Sequence, residues 1–179
     1  GSSHLVAATI PNCKAYDPAF AGEMAVIIDH GMREMLTEKR DVFYYVTLMN
    51  ENYAQPNLPA GVENDILKGC YHFQGPAAHL PLNAPRVSLM GSGAILLEVL
   101  KAADLLAKQG IACDVFSVTS WSELARDGQQ QEREAMAGRS ASVAFVQQQL
   151  MHSQGPIVAA TDYVRAVPES VRAFVPEGR

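Results

Sequence analysis

Two kinds of apolar spacing follow one another along the chain. Phe20, Met24, Ile27, Ile28, Met35 and Leu36 recur at intervals of three and four, the period of a helix buried along one side. Arg33, Glu34, Glu38 and Lys39 mark its wet side. Asp17 before Pro18 predicts the helix start: a carboxylate caps free amides, and proline lacks only an amide that has no partner there. Glu23 then falls in the first turn, where the helix dipole favours negative charge. Residues 42–49 are nearly all apolar or aromatic. A strand without polar alternation is covered on both faces, as in the parallel sheets of α/β proteins. Residues 5–10 read as a shorter strand stopped by Pro11 and Asn12. Strand, helix, strand with so long a connection predicts a crossover between parallel strands.

Residues 51–85 break this rhythm. Pro56, Pro59, Pro76, Pro81 and Pro85 leave room for one short helix near 62–68 and a strand around Cys70–Phe73, so the segment reads as a linker between units at 1–50 and 86–179. The second unit opens with a strand at 87–90. Gly91-Ser92-Gly93 turns into a helix carrying Ile95, Leu96, Val99, Leu100, Ala103 and Leu106, with Gly110 as its stop. A strand at 111–118, helices near 121–136 and 142–151, a strand at 156–161 and a helix near 167–175 complete the pattern. The glutamines at 129–131 and 147–149 read as exposed helix faces, and the fold class is α/β.

Composition narrows the function. Of 179 residues, 48% are hydrophobic and 18% charged, the balance of a globular protein rather than a disordered one. A net charge of −5 argues against a nucleic-acid partner, which calls for a basic face. No apolar run reaches the ~20 residues that cross a membrane, and no signal peptide is visible, so a cytoplasmic protein is expected. Cys13, Cys70 and Cys113 are too few and too scattered for a zinc site and fit reduced thiols, with Cys113, inside an apolar strand pattern, reading as buried packing.

Candidate chemistry is sparse. The polar run Asn50-Glu51-Asn52 follows the apolar strand directly, and open α/β sheets place ligands past the carboxyl ends of their strands. Asn50, Glu51 and Asn52 are therefore the substrate-cleft candidates. Gly91-Ser92-Gly93 invites a phosphate-binding reading, but Leu96 stands where a dinucleotide fingerprint needs its third glycine, so Ser92 reads as a helix cap. The five histidines, His4, His30, His72, His79 and His152, read as surface or linker residues. Asp17 and Glu23 are explained by helix capping without catalysis. No catalytic, cofactor-binding or metal-ligating residue is assigned.

The segments at 9–12, 15–23, 44–53, 89–96, 115–129 and 160–163 closely resemble, in this order, the homodimeric thiamine-dependent pyruvate dehydrogenase. That family is the decarboxylating first component of the pyruvate dehydrogenase complex. The resemblance implies the tail of a pyrimidine-binding domain (1–50), a linker (51–85) and most of a transketolase C-terminal-like domain (86–179) with a mainly parallel sheet and flanking helices. The family's polypeptide is several times longer, so the chain reads as an excerpt whose second sheet lacks an edge. For the parent it implies thiamine diphosphate held by Mg²⁺, decarboxylation of pyruvate, and transfer of the acetyl group to a lipoyl group of the dihydrolipoyl acyltransferase component. The family's Gly-Asp-Gly metal motif and its pyrimidine-contacting glutamate are absent here. No cofactor is thus expected on this chain, which would be structural, dimer-forming and inactive alone. Transketolases carry an arginine for the substrate phosphate where this chain has Asn50, a neutral amide suited to pyruvate. After Arg133 the family continues with Trp-Asn-Met and a His-Pro pair, where this chain has Glu134-Ala135-Met136.

Two rival readings stay open on sequence. One keeps the superfamily but makes the parent a transketolase or another 2-oxo acid dehydrogenase. The other is an independent flavodoxin-like interaction domain.

Overall fold

The structure is a computed structural model that describes residues 1–140 and 142–179. Helix α1 (Ser3–Ala8) leads into β1 (Cys13–Tyr16), α2 (Ala21–Met32) and β2 (Phe43–Val46). Next come α3 (Glu63–Lys68), β3 (Cys70–Gln74), β4 (Arg86–Gly91), α4 (Ile95–Lys108) and β5 (Ala112–Val118). Helix α5 (Trp121–Met136), α6 (Phe145–Leu150), β6 (Ile157–Ala160) and α7 (Ala166–Glu169) complete the order, with a last 3₁₀ turn at Arg172–Phe174. The sheets are β1-β2, parallel, and β3-β5-β4-β6, in which only β3 runs antiparallel.

The four-stranded sheet is covered on both faces. Leu89, Cys113 and Val115 pack under Leu96, Val99 and Ala103 of α4. Met90, Phe116 and Val118 pack under Trp121 and Leu124 of α5 and Phe145, Val146 and Leu150 of α6. Central strand β5 is buried at all seven positions. Helix α4 ends as the sequence predicts, with Gly110 and Ile111 closing their amides on Ala107 and Leu106.

The first unit departs from expectation in four ways. Residues 5–10 are not a strand; α1 covers most of them and turns His4 and Ala7, one helical turn apart, inward. The strand lies at Cys13–Tyr16 instead, and its parallel partner is β2, so the crossover holds with a shifted first strand. Strand β2 is only half-buried and Phe43 is exposed. Both its faces are touched, Tyr44 and Val46 beneath α2 and Tyr45 against Ala7, but among the described residues only β1 pairs with it. Phe43 and Thr47 donate to Asn12 and Tyr16, which leaves the alternate amides of Tyr44 and Val46 pointing outward.

Fourth, the wet side of α2 is misplaced. After Met32 the helix continues as a π turn, Arg33–Thr37, and the wider turn shifts the phase of the residues within it. Glu34 swings inward and Leu36 outward, to 2% and 69% exposure. Lys14 Nζ meets the Glu34 carboxylate at 2.8 and 2.9 Å, Tyr44 Oη donates at 2.5 Å, and Arg40 lies 3.1 Å away. Burial pushes Glu34 up, yet these hydrogen bonds and the charge of Lys14 outweigh it and hold the carboxyl below its usual range. Ile28 is likewise exposed.

The outer edge of β1 is sealed by the second unit. Arg126 donates to the Cys13 carbonyl at 2.6 Å, and Ser120 Oγ to the Ala15 carbonyl at 2.6 Å. Side chains of α5 and its cap thus stand where another strand would pair.

Candidate functional site

Each of the five parallel strands is followed at once by a polar residue: Asp17 after β1, Thr47 after β2, Ser92 after β4, Thr119 after β5 and Thr161 after β6. Carboxyl ends of parallel strands are where α/β folds gather polar groups, and here the side chains of Asp17, Thr47, Ser92 and Thr161 meet at one junction, while the Thr119 hydroxyl turns to the Ile66 carbonyl. Asp17 is the hub. Its Oδ1 accepts from Thr47 Oγ1 at 2.7 Å and its Oδ2 from Ser92 Oγ at 2.8 Å. Ser92 in turn bonds Thr161 Oγ1 at 2.8 Å, and Thr47 bonds His4 Nε2 at 3.0 Å. The backbone repeats the link: Asp17 donates its amide to Thr119 at 2.7 Å, and its carbonyl accepts from Gly93 at 2.9 Å.

Asp17 is therefore not the cap of α2, which begins only at Ala21. Ser92 is not the cap of α4 either; its hydroxyl is drawn to Asp17, and Ala94 precedes the helix without a side-chain cap. Nor is His4 a surface residue. It is buried between the rings of Tyr45 and Tyr163. Burial lowers its pKa against the opposing pull of Asp17, so the imidazole is neutral near pH 7 and its Nε2–H suits donation to Thr47.

Glu23 forms a second buried link. It is fully buried, accepts the amides of Ala19 and Phe20 at 2.6 and 3.1 Å, and so ties off the start of α2 as its first-turn position predicts. Tyr71 Oη of β3 and Ser117 Oγ of β5 donate to its other oxygen at 2.8 and 2.6 Å. Burial pushes its pKa up, against the pull of these four hydrogen bonds.

The cleft candidates lie beside this junction. Asn50, Glu51 and Asn52 are exposed on the irregular segment after β2. Of the three, Glu51 lines a hollow of about 190 Å³ with Pro18, Phe20, Met24, Leu48 and Tyr53. The structure does not bring Asn50 and Asn52 to it. A narrower cleft of about 40 Å³ lies between Asp17, Thr47, Ser92, Gly93 and Tyr163. Ligand pockets run from ~300 Å³ upward, so neither hollow encloses a substrate by itself. A roomier groove of about 390 Å³ runs along β6 and α7, lined by Met90, Val158, Ala159 and Arg165 among others.

The Gly91–Gly93 turn does not fit a phosphate. The Gly93 amide and the Ser92 hydroxyl are both held by Asp17, and a Cβ on Gly93 would stand 2.7 Å from the Asp17 carboxylate. A fixed negative charge thus fills the place a phosphate would take. Among the described residues no three His, Cys, Asp or Glu side chains gather as a metal site. The three cysteines are buried, and burial raises each thiol above its usual range. No helix among the described residues is long and apolar enough to cross a membrane.

Comparison with known proteins gives this geometry a lineage. The pyruvate dehydrogenase E1 component middle domain matches residues 1–56, and the transketolase-like C-terminal domain matches residues 69–176. The pyruvate dehydrogenase E1 component of Cupriavidus necator is 48% identical over 98% of this chain, and that of Escherichia coli K12 is 44% identical over 98%. The chain spans about 20% of the length of each. Among solved structures, transketolase from Leishmania mexicana superposes on 91% of this chain with a TM-score of 0.52 at 14% identity, covering 20% of that protein. Transketolase from Campylobacter jejuni does so over 97% with a TM-score of 0.50 at 18% identity, covering 26%. Such distant likeness shows the fold alone. The chain belongs to the pyruvate dehydrogenase E1 family, joining the end of its middle domain to its transketolase-like C-terminal domain.

Proposed function

We propose that the chain works as part of a longer enzyme that decarboxylates pyruvate with thiamine diphosphate and Mg²⁺. The acetyl group then passes to the lipoyl group of a dihydrolipoyl acyltransferase. The observation that carries this reading is near-complete coverage of the chain, at 44–48% identity, by E1 components of which it spans a fifth. The open outer edge of β2 supports it, since a two-stranded sheet is marginal alone and a longer polypeptide can extend it. The division proposed is the end of a pyrimidine-binding domain at 1–50, a linker at 51–85 and the C-terminal domain from 86.

In this reading the chain supplies scaffold, a homodimer surface and part of a cleft wall, with Asn50, Glu51 and Asn52 facing the substrate. The cofactor supplies the electron sink for loss of CO₂ when bound. Its metal and pyrimidine contacts belong to segments whose motifs are absent from these residues, and the Gly91–Gly93 turn is closed by Asp17. The isolated chain is therefore inactive, in a cytoplasmic parent enzyme. Titration calorimetry of the chain with thiamine diphosphate and Mg²⁺ is expected to show no binding tighter than millimolar, and a pyruvate turnover assay no activity. Micromolar binding or measurable turnover overturns the proposal.

A further inference from the structure

We infer that Asp17 is a positioning residue that fixes the cleft-wall segment after β2 against the second unit. The inference deepens the function proposed above, since it rests on reading Asn50, Glu51 and Asn52 as the cleft wall. Two chains of hydroxyls converge on this one carboxylate from opposite sides. From the first unit, His4 Nε2 bonds Thr47 Oγ1 at 3.0 Å, and Thr47 Oγ1 donates to Asp17 Oδ1 at 2.7 Å. From the second, Thr161 reaches Ser92, whose proton points to Oδ2. Both oxygens act as acceptors, so one carboxylate orients both chains at once, which an apolar side chain cannot do.

Thr47 is the last fixed residue before the segment. Its amide donates to the Tyr16 carbonyl at 3.0 Å and its hydroxyl is held by Asp17. Beyond it, Leu48 to Asn52 are exposed and irregular, and the next firm anchors are Tyr53, donating to the Ala19 carbonyl at 2.5 Å, and Gln55, accepting from the Ala21 amide at 2.8 Å. The segment is thus a span tethered at both ends. Its leading end answers to Asp17, whose carboxylate is tied to β4 and β6 through Ser92 and Thr161 and whose amide is tied to β5 at the Thr119 carbonyl.

The test uses the 179-residue chain without substrate. Paired nitroxides at N50C and D104C, both exposed, report the distance between segment and α4 by pulsed electron resonance; the native cysteines are buried and escape labelling. A control pair, D104C with Q130C, lies wholly within the second unit. The wild type is expected to give one narrow distribution for each pair. T47V, which cuts only the first chain, and D17A, which cuts both, are expected to widen the first distribution at least twofold and leave the control unchanged. If D17A fails to fold, T47V alone decides. An unchanged first pair in T47V, or equal widening of both pairs, overturns the inference. The probe involves no pyruvate or cofactor, so failure of the enzymatic reading leaves this result standing, and the reverse.

Discussion

Strands β2 and β5 look reversed if judged by sequence alone. Residues 43–46 are Phe-Tyr-Tyr-Val, without a single charge, yet none of the four is buried and Phe43 is exposed. Residues 112–118 include Asp114 and Ser117, yet all seven are buried. The difference is neighbours. Strand β5 has β3 and β4 at its edges and helices on both faces, and its polar groups are provided for. Asp114 meets Arg86 and His72, each at 3.0 Å, and Ser117 meets Glu23. Strand β2 has one edge partner. Burial is thus set by position in the sheet, and hydrophobicity only permits it.

The largest expected effects fall where that provision is removed in the well-packed unit. Leu124→Ala, at 0% exposure under the four-stranded sheet, should cost about 2–5 kcal/mol. Phe43→Ala on β2 should cost about 1 kcal/mol or less. Urea denaturation of both variants checks the contrast, and equal costs would erase it. Glu23→Ala should rank with the first, at roughly 3 kcal/mol, because it strands the hydroxyls of Tyr71 and Ser117 in the core. Gly128→Ala comes next. A Cβ there would press on the Phe174 ring, and overpacking of this kind costs about 1–3 kcal/mol; a loss of cooperativity at the chain's C-terminal end should accompany it.

The smaller effects concern pH, and they separate two carboxylates of one helix. Glu34 has its pKa held below the unfolded value, so its contribution is present above the unfolded pKa of ~4.3 and is lost as pH falls through the folded value. Glu23 has its pKa raised, so its contribution is full below ~4.3 and is lost as pH rises through the folded value. The stability gap between wild type and Glu34→Gln should therefore shrink toward acid. The gap between wild type and Glu23→Gln should widen toward acid. Denaturation series from about pH 2 to 8 read both slopes, since the Glu34 window lies below ~4.3, and slopes of the same sign would refute the assignment.

Much of the fold is legible in the residues themselves. The helix after Gly93, its stop at Gly110, helix α5 and the strands β4, β5 and β6 emerge from spacing, because long periodic segments commit to one structure wherever they pack. The short run at 5–10 does not commit, and docking of His4 and Ala7 made it a helix. The π turn that inverts Glu34 and Leu36 has no local signal, since one wide turn leaves the composition unchanged. The polar junction was half-visible: a single polar residue directly after each parallel strand is readable once the strands are known. That Thr47, Ser92 and Thr161 link to Asp17 while the Thr119 hydroxyl turns away to Ile66 is not, because it depends on two sheets presenting their carboxyl ends to each other.

The sequence by itself determined the α/β order and the likeness to pyruvate dehydrogenase E1, both carried by periodicity and by runs of neighbouring residues. Only the tertiary structure decided which carboxylates are buried, which apolar strand stays half-bare, and that Asp17 joins the units instead of capping a helix. The physical reason is that burial and hydrogen bonding belong to pairs of groups distant in sequence. Asp17 and Ser92, or Glu23 and Ser117, become neighbours only after the chain has packed.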